Sequence, residues 1–277
     1  MVLKPPLIIG HRGARARFPE NTIEGIRAAA RLGVRQFEID VAMTRDGVVV
    51  LSHDPWLNPA ITRGADGAWL RGRGPRFVAL DHASLGGLDV GRIRPGSAYA
   101  RGFPHQAPND GACIPTLTDV LAISPNLSWT IEIKTSPSRP RLTHSPEVIA
   151  AAIVEVADEA GATERTTVQS FDWRAPAYLQ RVRPDVSVAW LTTRSTRAWR
   201  GGQAALPGSI AARGGGTWSP RSIELTQRAL DAAHRLGLRV VPWTVNDRIA
   251  AVRLAVWGVD GIITDDPVAM AAWLDRE

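Results

Sequence analysis

The stretch RQFEIDVAMTRDGVVVLSH, residues 35–53, decides the fold. It holds two apolar, β-branched runs, RQFEIDV (35–41) and VVVLSH (48–53), with only AMTRDG between them. A parallel crossover needs roughly a dozen residues or more, so the two runs must pair antiparallel, turning at Asp46-Gly47. The second run is then the return arm of a hairpin and drops out of the strand succession. Eight β-like runs remain: LIIG (7–10), 35–41, SWTIEIK (128–134), TTVQSF (166–171), VSVAWL (186–191), GTWS (216–219), LRVVPWTV (238–245) and DGIIT (260–264).

Helical patterns fill most of the gaps. TIEGIRAAARLG (22–33) is amphipathic and ends at Gly33; Asn21 is its expected N-cap, with Glu24 as capping-box partner. PTLTDVLA (115–122) reads as a short helix, and SPEVIAAAIVEVADEAG (145–161) as a longer one opened by Ser-Pro. Further helices are expected near 173–182, 220–236, 246–257 and 267–275. Eight parallel strands with helices between them close into a (β/α)₈ TIM barrel. A doubly wound open sheet would place a glycine-rich nucleotide loop after the first strand, and GHRGAR (10–15) is not one. Residues 54–113 break the alternation, being dense in Gly, Pro and Arg with little periodicity. They are expected to be a small irregular insertion in a single domain spanning 1–277, bordering the site.

The 277 residues are 44% hydrophobic and 22% charged, as in an ordinary globular chain, and no apolar run approaches the roughly 20 residues of a membrane span. Stable membrane insertion is therefore not expected. The N-terminus enters the first strand almost at once, without the charged and apolar regions of a secretory signal. A cytoplasmic location is expected, or a periplasmic one if a signal has been removed. Cys113 is the sole cysteine and can form no internal disulfide. The net charge is +6, and only Lys4 and Lys134 among the basic residues are lysines. The arginines are scattered, with no basic stripe interleaved with aromatics, so nucleic acid is not the expected partner. The oligomeric state is not legible.

Alternate residues of a strand share a face. FEIDV therefore turns Phe37, Ile39 and Val41 toward the covering helices, and Glu38 and Asp40 into the barrel near its C-terminal end. IEIK repeats the device, with Glu132 and Lys134 inward. Three carboxylates crowded at one barrel mouth would have raised pKa values unless a cation sits among them, and an all-oxygen set suits Mg²⁺ or Ca²⁺. The bland reading is a set of internal salt bridges to Arg12 and Lys134.

His53 returns along the hairpin to the level of Glu38 and Asp40, and His11 ends the neighbouring first strand. The two histidines are either metal ligands, which would favour zinc, or a general acid and base flanking a reacting centre. Arg12 offers a planar fork for two phosphate oxygens. Lys134, in a chain that otherwise uses arginine, suggests a compact charge at the same place. Glu20 is a candidate to orient Arg12 beside the substrate. Gln169 and Phe171 share a strand face with the mouth, and Trp243 is a candidate wall for an alkyl or choline-like group.

HRGARARFPENT, FEIDVAMTRDGVVVLSHD, IPTLTDVL, IEIK, VQSFD, PWTVN and GVDGIITDDP occur in this order over about residues 8–267. Together they resemble the glycerophosphodiester phosphodiesterase family. The resemblance implies a TIM barrel with an insertion after the His-Asp motif, and hydrolysis of a small glycerophosphodiester, glycerophosphocholine- or glycerophosphoethanolamine-like, to sn-glycerol 3-phosphate and an alcohol. It implies that Glu38, Asp40 and Glu132 hold one divalent cation, that His11 and His53 are the acid–base pair, and that Arg12 and Lys134 contact the phosphate. The sequence departs from the commoner H-D-x-x-L-x-R-T pattern, because HDPWLNPAITRG places Arg63 several residues later. A lysophospholipase D-like activity on the same barrel is the near alternative, needing an apolar channel that Trp56, Trp69, Trp190, Trp218 and Trp243 could supply. A non-catalytic phosphodiester-binding protein is the distant one, but no ligand or histidine of the pattern is lost.

Overall fold

The computed structural model describes residues 5–196 and 202–275. The first strand, β1 (Leu7–His11), leads into helix α1 (Ile23–Arg31) and strand β2 (Gln36–Met43). β3 (Val49–Leu51) folds back antiparallel on β2, with Val41 opposite Leu51 and Met43 opposite Val49. A long irregular stretch containing α2 (Ala98–Gly102) precedes α3 (Leu117–Leu121). Alternation then resumes as β4 (Ser128–Ile133), α4 (Pro146–Glu159), β5 (Thr166–Ser170), α5 (Arg174–Val182), β6 (Ser187–Thr192), α6 (Leu206–Ala211) and β7 (Thr217–Pro220). It ends with α7 (Gln227–Arg235), β8 (Arg239–Val240), α8 (Arg248–Trp257), β9 (Gly261–Thr264) and α9 (Pro267–Leu274).

The parallel strands run in the order β8-β7-β6-β5-β4-β2-β1-β9. The Asp260 N–H donates to the Val240 carbonyl, the Ile263 N–H to Pro242 and the Val245 N–H to Ile263, which joins the two ends of the sheet. The fold is a TIM barrel of eight parallel strands with intervening helices. The expected strand 238–245 is regular only at Arg239–Val240. Pro242 has no N–H to give, and the backbone continues through single bonds such as Trp243 N–H to the Pro220 carbonyl. Helix α6 is absent from the sequence reading: LPGSIA carries a proline and a glycine in six residues and shows no periodicity. The expected helix 220–236 splits into a 3₁₀ turn at Ser222–Glu224 and α7, which starts after the Thr226 cap.

Apolar strand residues do face the helices. Phe37, Ile39, Val41, Ile131, Ile133 and Val168 are buried with Ile26, Ala29, Ile149 and Ile153 of α1 and α4. Burial of such side chains contributes about 1.5–3 kcal/mol each. The register then aligns the polar positions of neighbouring strands: His11 lies beside Glu38, Asp40 beside Glu132, and Glu132 beside Gln169. The stretch between β3 and α3 has its own small core, in which Leu57, Phe77, Leu85, Val90 and Ile114 pack on Ala42 and Val50 of the hairpin. No helix among the described residues is long and apolar enough to cross a membrane.

Candidate active site

The β1–α1 turn is the most strained backbone of the described residues. Arg12 (φ +51°) and Asn21 (φ +53°) are its two non-glycine residues in the left-handed region, a conformation costing about 1–2 kcal/mol each. Site contacts compensate both. The Arg12 N–H donates to Glu38 Oε2 at 3.2 Å. Asn21 donates from Nδ2 to Asp40 Oδ2 at 3.0 Å and accepts the Asp40 N–H at 3.2 Å. Asn21 is therefore not the helix cap that the sequence suggests. Thr22 caps α1, accepting the Gly25 N–H at 3.1 Å, and Glu24 has no capping-box role. Asn21 is committed to Asp40 because its left-handed backbone turns the side chain into the barrel mouth. Gly10 is also required: a Cβ there would lie 2.0 Å from the Gly13 carbonyl oxygen.

Ligand atoms of Glu38, Asp40 and Glu132 lie within 4.8 Å of one another, and all three residues are buried. Burial raises Glu38 well above its ordinary pKa, helped by the charges of Asp40 and Glu132. Burial also pushes Asp40 up, but Lys134 and Arg12 outweigh it and hold Asp40 well below the carboxylate range. Glu132 is raised, chiefly by burial. Lys134 Nζ stands 3.0 Å from Asp40 Oδ1 and 2.6 Å from Glu132 Oε1. Neither oxygen accepts a well-directed hydrogen bond although both are buried. An all-oxygen donor set with excess negative charge and unsatisfied lone pairs fits a hard divalent cation.

Arg12 is buried, with Nη1 donating to Glu20 Oε1 at 2.9 Å and Nε 3.2 Å from Asp40 Oδ2. Glu20 is thus a holder of Arg12, and Arg12 and Arg15 keep it below its usual pKa despite its burial. Gln169 donates Nε2 to Glu38 Oε1 at 3.3 Å, so it too orients a carboxylate. Trp243 stacks edge-on against Phe171, centroids 5.3 Å apart, with its indole N–H on the Ser219 carbonyl. Trp243 thus stands as one half of an aromatic pair.

The two histidines differ. His11 is buried, with Nδ1 2.5 Å from Asp265 Oδ1 and Nε2 3.7 Å from Glu38 Oε2. Burial lowers its pKa to about 4, against the partial opposition of the Asp265 hydrogen bond. His53 follows β3 and is more open; its Nδ1 lies 3.0 Å from Asp54 Oδ1, and the Ser52 N–H on the Asp40 carbonyl sets it at the carboxylate level.

Asp265, Asp54, Arg15, Tyr99 and Asn246 carry no role in the sequence reading. Arg15 Nε donates to Asp265 Oδ1 at 2.6 Å and Asn246 Nδ2 to Oδ2 at 2.6 Å. Tyr99, from α2 of the insertion, donates its hydroxyl to Glu20 Oε2 and accepts from Arg15 Nη1 at 3.3 Å. A signal for Asp265 existed: barrel closure puts Thr264 beside Gly10, so the next residue pair is Asp265 and His11. The tryptophans expected to line an apolar channel do not come together. Trp190 and Trp218 are fully buried in the main core, while Trp56 and Trp69 lie under Arg73 and Arg63 in the insertion. The displaced Arg63 pairs with Asp89 and with Asp110 at 2.5 Å, stapling the insertion.

A sequence model of the glycerophosphoryl diester phosphodiesterase family matches residues 11–269, which include every residue of this cluster. The chain belongs to that family. A glycerophosphodiester phosphodiesterase of Caldanaerobacter subterraneus subsp. tengcongensis is 27% identical over 94% of this chain and 94% of its own length. A Silicibacter pomeroyi DSS-3 crystal structure, named as a candidate member of the same diesterases, superposes with a TM-score of 0.92. It is 34% identical, over 98% of this chain and 94% of the other. An Oleispira antarctica phosphodiesterase in complex with the product sn-glycerol-3-phosphate shares the fold, with a TM-score of 0.76 at 22% identity, over 98% of this chain and 97% of the other.

Proposed function

We propose that this chain hydrolyses small glycerophosphodiesters to sn-glycerol 3-phosphate and an alcohol, with one divalent cation, Mg²⁺ or Ca²⁺, held by Glu38, Asp40 and Glu132. One observation carries the reading: two histidines, each paired to its own carboxylate, stand beside a buried three-carboxylate cluster at the C-terminal rim of a barrel of this family. Family membership supports the diesterase chemistry. The product-bound Oleispira structure supports the glycerol phosphate half by analogy of fold.

Glu38, Asp40 and Glu132 would hold the divalent cation, which would supply charge neutralisation at the phosphate. Arg12, fixed by Glu20 and Asp40, presents its guanidinium to the phosphoryl group, and Lys134 brings a second positive charge to the same rim. Asp265 fixes the His11 ring through Nδ1 and leaves Nε2 facing the cluster, and Asp54 holds the His53 ring through Nδ1. One imidazole removes a proton from the attacking oxygen, and the other returns one to the departing alkoxide. The phosphorus–oxygen bond to the alcohol breaks, the attacking oxygen replaces it, and the proton count closes on the alcohol.

The test is turnover of a glycerophosphodiester panel with Mg²⁺, Ca²⁺ or chelator, reading sn-glycerol 3-phosphate release. His11→Ala and His53→Ala are each expected to lose roughly 10²- to 10⁴-fold in kcat, the usual worth of a general acid or base, with unchanged circular dichroism. Near-normal turnover by both variants refutes the acid–base pair, and full activity in chelator refutes the cation.

A further inference from the structure

We propose that a groove beside Lys134 receives the alcohol moiety of the diester and selects hydroxyl-rich alcohols over ammonium-bearing ones. This rests on the phosphodiesterase reading above. The groove, about 1190 Å³, is formed by the loops that follow β4 and β5 and by described residues after β6, with Thr135, Ser136, Ser138, Asp172, Thr193 and Arg213 among its lining. It opens from the same rim as the carboxylate cluster. Thr135 directly follows Lys134, which pairs with Asp40 and Glu132, and Phe171, also in the lining, lies two residues past Gln169, which holds Glu38. The insertion side is tighter: a cavity of about 170 Å³ lies among Arg92, Phe103 and Pro108, none of which touches the carboxylate cluster. The cavity among Glu20, His53 and Phe77 has about 20 Å³, room for a single water and not for an alcohol headgroup. The variable half of a substrate anchored at the cluster therefore has space toward β4–β6.

The lining chemistry sets the selectivity. Hydroxyls both donate and accept, matching the hydroxyls of a polyol. Asp172, the carboxylate of the groove, is buried and already satisfied: it accepts from Thr135 Oγ1 at 2.9 Å and from Arg174 Nε at 2.9 Å and Nη2 at 2.6 Å. Among the described residues of the groove, an incoming ammonium would find no free anion. The Trp173 ring, which could cradle a quaternary ammonium, lies under the Arg213 guanidinium, 5.5 Å from the ring centroid. Arg213 is exposed and donates Nη1 to the Ser209 carbonyl, so its charge faces the groove without a carboxylate bonded to it. Cationic headgroups meet a positive wall, and polyols meet hydrogen-bonding groups.

The experiment measures kcat/KM of the full chain, with Mg²⁺ or Ca²⁺, on glycerophosphoglycerol and glycerophosphoinositol against glycerophosphocholine and glycerophosphoethanolamine. The polyol diesters are expected to be favoured by about tenfold, the effect of one or two net hydrogen bonds. Arg213→Glu is expected to shrink that ratio severalfold by improving the choline diester, and Ser136→Ala by weakening only the polyol diesters. Both positions are at or near the surface, so unchanged thermal unfolding separates these effects from misfolding. Equal kcat/KM across the panel, a choline preference, or a wild-type ratio in both variants overturns the subsite while the hydrolase reading stands. No turnover of any of the four substrates with either ion overturns the hydrolase reading, and the subsite with it.

Discussion

At the barrel rim Lys134 lies 3.0 Å from Asp40 and 2.6 Å from Glu132, all inside a buried cluster. In the insertion Arg92 meets Asp110 at 2.5 Å in open solvent, and Arg63 reaches the same carboxylate. The residue types are alike, and the consequences differ. Rim charges cannot relax, because the β1, β2, β4 and β5 register fixes where each side chain points. The crowding of like charges there is sustained by the packing of the core around the strands. The Arg92–Asp110 pair is hydrated and screened, so it acts only as a staple on a stretch with a small core. The two regions meet at Tyr99, whose hydroxyl touches the holder of Arg12 and the holder of Asp265 at once.

Removing one charge from each region tests the contrast most sharply. Asp40→Asn takes away the cluster's most firmly ionised oxygen. It is expected to weaken Mg²⁺ or Ca²⁺ affinity by at least roughly a hundredfold, since even groups that only support a ligand act on the scale of 10–100-fold. Calorimetric titration of the ion reads this, with turnover falling in parallel. Asp110→Asn, the matched change in the insertion, is expected to leave both untouched. Comparable losses from the two would dissolve the distinction.

Tyr99→Phe probes the seam between the regions. One hydrogen bond to a charged group is lost on each side, and kcat/KM is expected to fall about tenfold, corresponding to a net 1.5 kcal/mol or so. Steady-state kinetics alongside a melting curve checks it; a lower melting temperature with unchanged kinetics would reduce Tyr99 to a structural contact. The smallest effect concerns pH. The Arg92 hydrogen bond, aided by Arg63 against slight burial, moves Asp110 from 3.8 to about 2. A carboxyl lowered on folding contributes its full stabilisation above its unfolded pKa and loses it as the pH falls through the folded one. Amide protection within 54–113, taken relative to the intrinsic exchange rate at each pH, is therefore expected to be steady above about pH 4 and to fall between 3.8 and 2. Protection that does not change across that window would show that these pairs do not hold the insertion.

Much of this was legible because it followed from periods. The hairpin at 35–53 left eight strands, and the two-residue strand period put Glu38, Asp40, Glu132 and Lys134 inside. Less regular features were not legible. Pro242 and Trp243 interrupt an apparent eight-residue strand, and LPGSIA hides α6. Asn21 reads as a cap because Asn is a common one, yet Thr22 wins the cap once the left-handed φ at Asn21 turns its amide toward Asp40.

By itself the sequence determined the barrel, the identity of the carboxylate cluster and the presence of two histidines at strand ends. These depend on local spacing and on strand order. Only the tertiary structure decided what each polar group is bonded to. Asp265 reaches His11 across 254 positions, and Tyr99 reaches Glu20 across 79, because barrel closure and the folding-back of the insertion bring them together. Contacts of that range leave no periodic mark in a chain, so their partners are set by packing rather than by pattern.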